Sequence, residues 1–358
     1  MTPRGDAATE AGPLRIGSVA RIADFDARPP NADPLPREAW REGDFVIAEV
    51  AEGGATPFQI EVPSGRLVEV AIGDLLLGAL GRRAATLGVV GDWRGIASSR
   101  MQTLNVAGVI GRVSSTAYPR PAIAELEYVG HAHRDGHRLA MGDFAVPDTG
   151  HELEAPVVLI VGTSMQAGKT AAGKAIVRRL KRMGLRVAAT KLTGVGRYRD
   201  VQAMGDAGAD VIADFVDVGL PSTAVAPEDF ERAARALLSL IAERSPDVVV
   251  AEAGASPLEP YNGDLAVRLL GGRVRCTVLC ASDPYAVLGV MEAFEVRPDV
   301  ISGPATGNEA AVALVDRLTG GLPARNLIED PTGEGLADLL AERIAAAPAR
   351  LGDRAPDG

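Results

Sequence analysis

From Pro156 onward the chain alternates short, largely apolar runs with amphipathic segments of helical period, a pattern few architectures accept. The runs are Val157–Val161, Arg186–Thr190, Asp247–Ala251, Arg275–Ala281 and Val300–Ser302, with Ala324–Leu327 a candidate sixth. Strands apolar along their whole length are covered on both faces. Between them lie helix candidates at Ala171–Met183, Val201–Val216, Pro227–Arg244, Tyr285–Glu295, Asn308–Leu318 and Gly335–Ala346. In the third, Phe230, Ala234, Leu237, Leu238 and Ile241 recur at helical spacing, and Pro227 with Glu228 and Asp229 makes a good first turn. Such alternation gives an α/β fold with a parallel sheet and right-handed crossovers over residues 156–347.

Residues 14–147 read differently. Short β-like runs (Phe45–Val50, Phe58–Val62, Leu67–Ile72, Leu75–Leu80, Leu104–Val113, Ile123–Tyr128) are broken by Gly, Pro and Asp, and helical periodicity is scarce. A β-rich domain, barrel or sandwich, is expected. Asp135-Gly136 closes a hairpin between Glu127–His133 and His137–Phe144. His131 and His133 share a strand face, and the hairpin offers His137 across from them. No carboxylate or Cys completes a ligand pattern there, so solvent-exposed histidines are the favoured reading over a metal site. Trp40 and Trp93 read as packing residues. Asp148–Ala155 is a polar linker, and residues 1–13 and 348–358 have the composition of disordered termini.

Of the 358 residues 47% are hydrophobic and 23% charged, as in globular proteins, and the length suggests two domains. A net charge of −10 excludes a general nucleic-acid binder, because no basic field would steer a phosphate backbone. The first 15 residues lack the apolar core of a signal peptide, and no run is long enough to cross a bilayer, so no membrane partner is expected. The two cysteines, Cys276 and Cys280, share one apolar run and read as buried thiols. A cytoplasmic location fits all of this.

Chemistry is concentrated in Gly162-Thr163-Ser164-Met165-Gln166-Ala167-Gly168-Lys169-Thr170, which follows the first apolar run and opens an amphipathic helix at Ala171. Backbone N–H groups of a strand–glycine loop–helix unit form a nest for phosphate oxygens. Lys169 is placed to reach the β- and γ-phosphates, and the Thr170 hydroxyl to ligate Mg²⁺. The first glycine stands one position earlier than in the usual P-loop, where residue 163 would be Gly.

In an open parallel sheet, ligands gather beyond the carboxyl ends of the strands. There the sequence offers Lys191 after the second run, Glu252 and Ser256 after the third, and Asp283 after the fourth. Mg²⁺ takes few protein ligands, so Thr170 with Glu252, and Asp200 in the polar stretch Arg197–Asp200, would suffice. Lys191 suits an anionic acceptor or the charge on a transferring phosphoryl group. Plainer readings compete: an ion pair between Lys191 and Glu252, Asp200 as a helix N-cap, Asp206, Asp210 and Asp214 as a solvated helix face, and Arg178, Arg179, Lys181 and Arg182 as another. Asn308 and Asn326, near later strand ends, are candidates for contacting a base.

These residues carry a resemblance. GTSMQAGKT resembles the loop of dethiobiotin synthetase, which also places its first glycine one residue early, and Lys191 and Glu252 match that family's strand-tip Lys and Glu. Lys191, Asp200 and the run at 207–209 are similar to the accessory GTP-binding protein of molybdopterin-guanine-dinucleotide assembly. A longer similarity runs to the bacterial P-loop family that includes D-glutamate N-acetyltransferase, carried by EAGASPLEPYNG (Glu252–Gly263), by Val211–Phe215 and by Leu279–Pro284. The likeness covers about residues 156–330. It departs at Gly168-Lys169-Thr170, where that family inserts a Met, and in the β-rich half.

The resemblance implies a P-loop NTPase of the dethiobiotin synthetase-like (SIMIBI) class. The expected function is Mg-ATP-dependent activation of a small carboxylate- or amine-bearing molecule by phosphoryl transfer, in the manner of a ligase or kinase. Lys169, Lys191 and Glu252 would be catalytic, Gly162 through Ala171 would hold ATP, and Thr170, Glu252 and Asp200 would hold Mg²⁺. Alternatives are a nucleotide-switched GTPase or ATPase module for cofactor assembly, possible as a homodimer, and an acyl-CoA-dependent N-acyltransferase. No Asn-Lys-x-Asp guanine-reading motif occurs in the chain, which favours ATP.

Overall fold

A computed structural model of the chain describes residues 12–54, 57–254, 256–327 and 335–345. Most of residues 1–13, all of residues 348–358 and parts of the flanking segments lie outside that set. The Gly12 N–H donates to the Gly73 carbonyl at 3.1 Å, and the Pro13 carbonyl accepts from the Leu75 N–H at 3.2 Å.

In the β-rich half five strands close a circuit: β1 (Phe45–Ala51), β2 (Leu75–Leu80), β3 (Arg100–Thr103), β4 (Val109–Thr116) and β5 (Glu125–Arg134). Its hydrogen-bonded order is β2-β1-β5-β3-β4, and β4 returns to β2. Every pairing is antiparallel except the closing one, where Val109–Ile110 run parallel to Ala79–Leu80. Closure leaves few free edges, which is how small all-β units avoid pairing with other chains. The expected strand at Leu104–Val113 is interrupted: residues 104–108 turn between β3 and β4, with Gly108 at φ +90°.

Barrel strands are apolar on both faces, and the structure shows why. Along β1, Val46, Ala48 and Val50 pack with Phe58, Ile60, Leu76, Leu80 and Met101. Their neighbours Phe45 and Ile47 instead join a cluster that continues through Val19, Leu77 and Val109 to Leu159, Val161, Phe215, Val216 and Phe230. The second face of the barrel therefore packs into the same core as the parallel-sheet half.

That half holds six parallel strands: β6 (Val157–Gly162), β7 (Val187–Thr193), β8 (Val211–Asp214), β9 (Val248–Ala253), β10 (Val274–Cys280) and β11 (Val300–Ser302). Their order is β8-β7-β9-β6-β10-β11. Its helices are α1 (Lys169–Arg182), α2 (Tyr198–Asp206), α3 (Pro227–Ala242), α4 (Gly263–Leu270), α5 (Pro284–Ala293), α6 (Glu309–Thr319) and α7 (Leu336–Ala345). Val158 and Ile160 face Ala172, Ile176, Val201 and Leu340 of α1, α2 and α7. Val157, Leu159 and Val161 face Phe230, Ala266, Val287 and Val315 of α3 to α6. The sheet is thus covered on both sides, as its apolar strands require.

Several expectations are corrected here. The segment Val201–Val216 is not one helix: α2 ends near Asp206, Gly208 adopts φ +107°, and the chain re-enters the sheet as β8. Asp206, Asp210 and Asp214 therefore share no helix face; Asp214 is buried in β8, and Asp210 pairs with Lys181 at 2.7 Å. Helix α4 was not anticipated, because its eight residues are too few to show a period. At Ala324 the expected sixth strand reduces to an isolated parallel bridge to Ile301.

The hairpin closes at Asp135 and Gly136, both at positive φ, but its return strand is His137–Arg138 alone. His137 lies opposite Arg134 rather than opposite the other histidines. His131 and His133 are buried, not exposed. His131 sits in an aromatic cluster with Trp40 and Tyr128, its Nδ1 2.6 Å from the Tyr128 hydroxyl and its Nε2 3.3 Å from Asp44. Trp40 and Trp93 are buried barrel-packing residues.

Candidate functional site

Strand β6 lies between β9 and β10, so the chain leaves it towards β9 and later returns to its other side. The connections after β6 and β9 run in opposite directions, which makes this the switch point at which open α/β sheets bind ligands. The phosphate loop occupies it. Gln166 and Gly168 both adopt left-handed backbone, φ +66° and +91°, which turns the chain sharply into α1. Alternating left- and right-handed residues of this kind aim successive N–H groups at one point. The strand–loop–helix unit and its parallel sheet make this a P-loop NTPase fold.

The displaced glycine has a definite role. A Cβ built on Gly162 would stand 2.9 Å from Lys169 Cδ, 3.0 Å from its Cγ and 3.1 Å from the Cys280 carbonyl oxygen. The lysine stem is laid across residue 162, and a side chain there would lift it away. Lys169 is 5% exposed, and its Nζ donates to the Ser164 carbonyl at 2.6 Å. Burial depresses its ammonium below the usual lysine range, while Glu252 draws it back up. Gly303, at φ +88° after β11, serves the other end of the loop, since a Cβ there would be 2.3 Å from the Ala167 carbonyl.

Thr170, in the first turn of α1, donates its hydroxyl to Glu252 Oε2 at 3.2 Å. Glu252 lies inside β9 rather than closing it, 3% exposed, in register with Ile160 on one side and Lys191 on the other. Burial, then the charge of Asp200, raise its carboxyl; Lys191, Lys169 and Thr170 oppose them. Lys191 likewise lies within β7, which runs on to Thr193. Its Nζ contacts Asp200 Oδ2 at 2.6 Å and donates to the Val195 carbonyl at 3.3 Å. Burial alone would lower this ammonium, yet Asp200 and Glu252 raise it overall.

The direct ion pair of Lys191 is therefore with Asp200, not Glu252. Asp200 is in the first turn of α2 and not at its N-cap, which is Arg197. Although burial works against its charge, Lys191 and Arg197 hold its carboxyl below the usual range. Two further glycines make room: a Cβ at Gly254 would be 2.6 Å from Lys191 Cε, and one at Gly194 3.3 Å from it.

The donor set fits a hard divalent cation. A hydroxyl and a buried carboxylate, already in contact, are what Mg²⁺ takes from a protein while keeping phosphate oxygens and water. Thr170 and Glu252 meet this directly; Asp200 adjoins them electrostatically and is engaged by Lys191. Among the described residues, no group of three or more His, Cys, Asp or Glu is arranged to hold a metal.

Other expected residues have structural duties. Thr163 donates its N–H to the Cys280 carbonyl at 3.1 Å and accepts from the Ser282 N–H at 3.2 Å, fastening the loop to β10. Asp283 caps α5 by accepting from the Tyr285 and Ala286 N–H groups, and Asn308 caps α6 by accepting from that of Ala311. The Cys280 thiol is buried and pushed up to about 12 by that burial, so it stays protonated.

Sequence reasoning missed the residues that the β-rich half brings to the site. Glu61, fully buried, accepts from the Tyr198 N–H at 2.7 Å and the Arg199 N–H at 3.3 Å, capping α2 across the two halves. Ala84 donates its N–H to the Tyr261 hydroxyl at 2.7 Å, and the Thr86 hydroxyl reaches Glu259 at 2.7 Å. Arg83 extends to the phosphate loop, its Nη2 3.7 Å from Met165 Sδ. No local signal marks these contacts; they join positions far apart in sequence.

No family model and no curated protein matches the chain. Among solved structures it is similar to the signal recognition particle receptor FtsY from Elizabethkingia anophelis, with 12% identity over 55% of this chain and 68% of that one at a TM-score of 0.36. A DUF1611 family protein from Anabaena variabilis aligns with 19% identity over 54% of this chain and 57% of that one, TM-score 0.36. Hydrogenase maturation factor HypB from Archaeoglobus fulgidus aligns with 18% identity over 53% of this chain and 90% of that one, TM-score 0.35. No helix among the described residues is long and apolar enough to cross a membrane.

Proposed function

We propose that the protein is a Mg-ATP-dependent enzyme that transfers the terminal phosphoryl group to a small carboxylate- or amine-bearing acceptor. The observation that carries this is the row of Lys169, Thr170, Glu252, Lys191 and Asp200 at the sheet's switch point. It combines a phosphate nest with a cation-binding pair and a second buried lysine that the nest does not use.

Each residue has a distinct task in this reading. Lys169 and the loop N–H groups hold the phosphates and neutralise charge on the group in flight. Thr170 and Glu252 hold Mg²⁺, which supplies charge compensation when bound. Lys191 faces the acceptor, whose oxygen or nitrogen forms the new bond to phosphorus as the bond to the leaving diphosphate breaks. Asp200 keeps Lys191 charged and aimed, with Gly194 and Gly254 clearing its path.

A nucleotide-switched module is the second reading. It is favoured by the Glu61 cap, because that carboxylate links the β-rich half to the helix bearing Asp200. A thermal-shift panel of ATP, GTP and acetyl-CoA, each with and without Mg²⁺, tests both. Stabilisation by ATP that requires Mg²⁺ supports the enzyme, and stabilisation by GTP alone supports the switch. Stabilisation by acetyl-CoA without Mg²⁺ contradicts the phosphoryl-transfer reading.

A further inference from the structure

Arg83 is held at the edge of the phosphate loop by the other half of the molecule. It belongs to the short strand Arg82–Ala84, which pairs antiparallel with Val89–Asp92, Arg83 opposite Gly91. Both neighbours are tied across to the parallel-sheet half: Arg82 donates to the Ala224 carbonyl at 3.1 Å, and Ala84 to the Tyr261 hydroxyl. The guanidinium itself reaches the Leu104 carbonyl and Met165 Sδ. Gly88 leaves it space, since a Cβ there would lie 3.0 Å from Nη2. No carboxylate among the described residues forms an ion pair with it.

An arginine so placed is costly without an anion. Burial, and the like charge of Arg197, push its pKa below the usual range despite an opposing contribution from Tyr261. Guanidinium is the side chain best matched to carboxylate or phosphate oxygens, which it binds through two parallel N–H donors. What this one adjoins is Met165, in the middle of the phosphate loop.

We propose that Arg83 binds the terminal phosphate of the nucleotide, so that the β-rich half completes the triphosphate site in cis. The inference rests on the nucleotide reading above and deepens it. The β-rich half then senses whether the third phosphate is present, and an arginine there stabilises charge that grows on the departing group.

The test is a calorimetric titration of Mg-ATP, through a non-hydrolysable analogue, and of Mg-ADP into wild type, Arg83→Gln and Arg83→Lys, with thermal unfolding as the fold control. Loss of a charge-assisted hydrogen bond to phosphate corresponds to about 10- to 100-fold in affinity. Arg83→Gln is expected to lose that factor for the triphosphate while the diphosphate changes less than about 2-fold, and Arg83→Lys to lose less. A purely structural role would weaken both nucleotides alike. Equal losses, or none, overturn the inference while leaving the nucleotide site standing; should Arg83→Gln not fold, the ratio for Arg83→Lys decides on the same terms. A wild type that binds neither nucleotide instead removes the reading on which the inference depends.

Discussion

At the scale of single residues, the site is governed by where backbone can approach the Lys169 stem. Gly162→Ala inserts a carbon 2.9 Å from Lys169 Cδ, so the lysine must leave its seat while the apolar β6 around it is unchanged. The variant is expected to bind nucleotide about 10-fold more weakly or worse, with thermal stability within about 1 kcal/mol of wild type. Calorimetry beside a melting curve checks both halves of that statement. Residues 162–170 were legible in the sequence because their signal is local: a strand, a glycine loop, a lysine and a helix within a few residues of one another. Lys191 and Glu252 were legible from their strands, although each sits within its strand rather than at the tip. The partner of Lys191 was not, since Glu252 and Asp200 are equally plausible until the register and the start of α2 are known. Arg83 was invisible, because nothing near it in the chain speaks of phosphate.

Among elements, α2 is one on which the two halves meet. Its N-terminus carries positive partial charge and unpaired N–H groups, and Glu61 supplies the carboxylate that answers both. Ser18 also donates to Glu61, at 2.5 Å, so the carboxylate is held from its own half as well. Glu61→Ala leaves the buried Ser18 hydroxyl and the first N–H groups of α2 without this partner and is expected to destabilise the fold by about 1–3 kcal/mol. Through the first turn of α2 it should also loosen the Asp200–Lys191 pair and raise the KM for the acceptor more than that for nucleotide. Chemical denaturation and steady-state kinetics measure the two effects. The sequence misled about this element because Asp206, Asp210 and Asp214 mimic a helical repeat across a real break. The break is chemical: Gly208 takes the left-handed conformation that ends helices, and the β-branched pair Val211-Ile212 then suits a strand.

For the whole molecule, the core that joins Ile47 and Leu77 of the barrel to Leu159 and Phe230 of the parallel-sheet half makes the halves interdependent. Beside it, Arg21 crosses from the β-rich half to bond Asp214 at 2.8 Å and Asp217 at 2.9 Å. Burial and the neighbouring charge of Asp214 push the Asp217 carboxyl up to about 6, from an ordinary 3.8, against the pull of Arg21. A carboxyl whose folded-state pKa is raised favours folding while protonated. Its contribution is therefore present at pH below its ordinary value and lost as pH climbs towards 6. Asp217→Asn removes that dependence, so the melting temperature of the variant relative to wild type should rise as pH climbs from below 3.8 to above about 6. A difference that stays flat would show the carboxyl to be unperturbed.

The central claim is that residues 162–170 hold a nucleoside triphosphate with Mg²⁺, and calorimetric titration of Mg-ATP into wild type and Lys169→Ala tests it most directly. The structure predicts saturable binding by wild type with Kd on the order of 1–100 μM and at least about 30-fold weaker binding by the variant. Absence of binding by wild type with ATP and with GTP, or equal affinity in the two proteins, would contradict it.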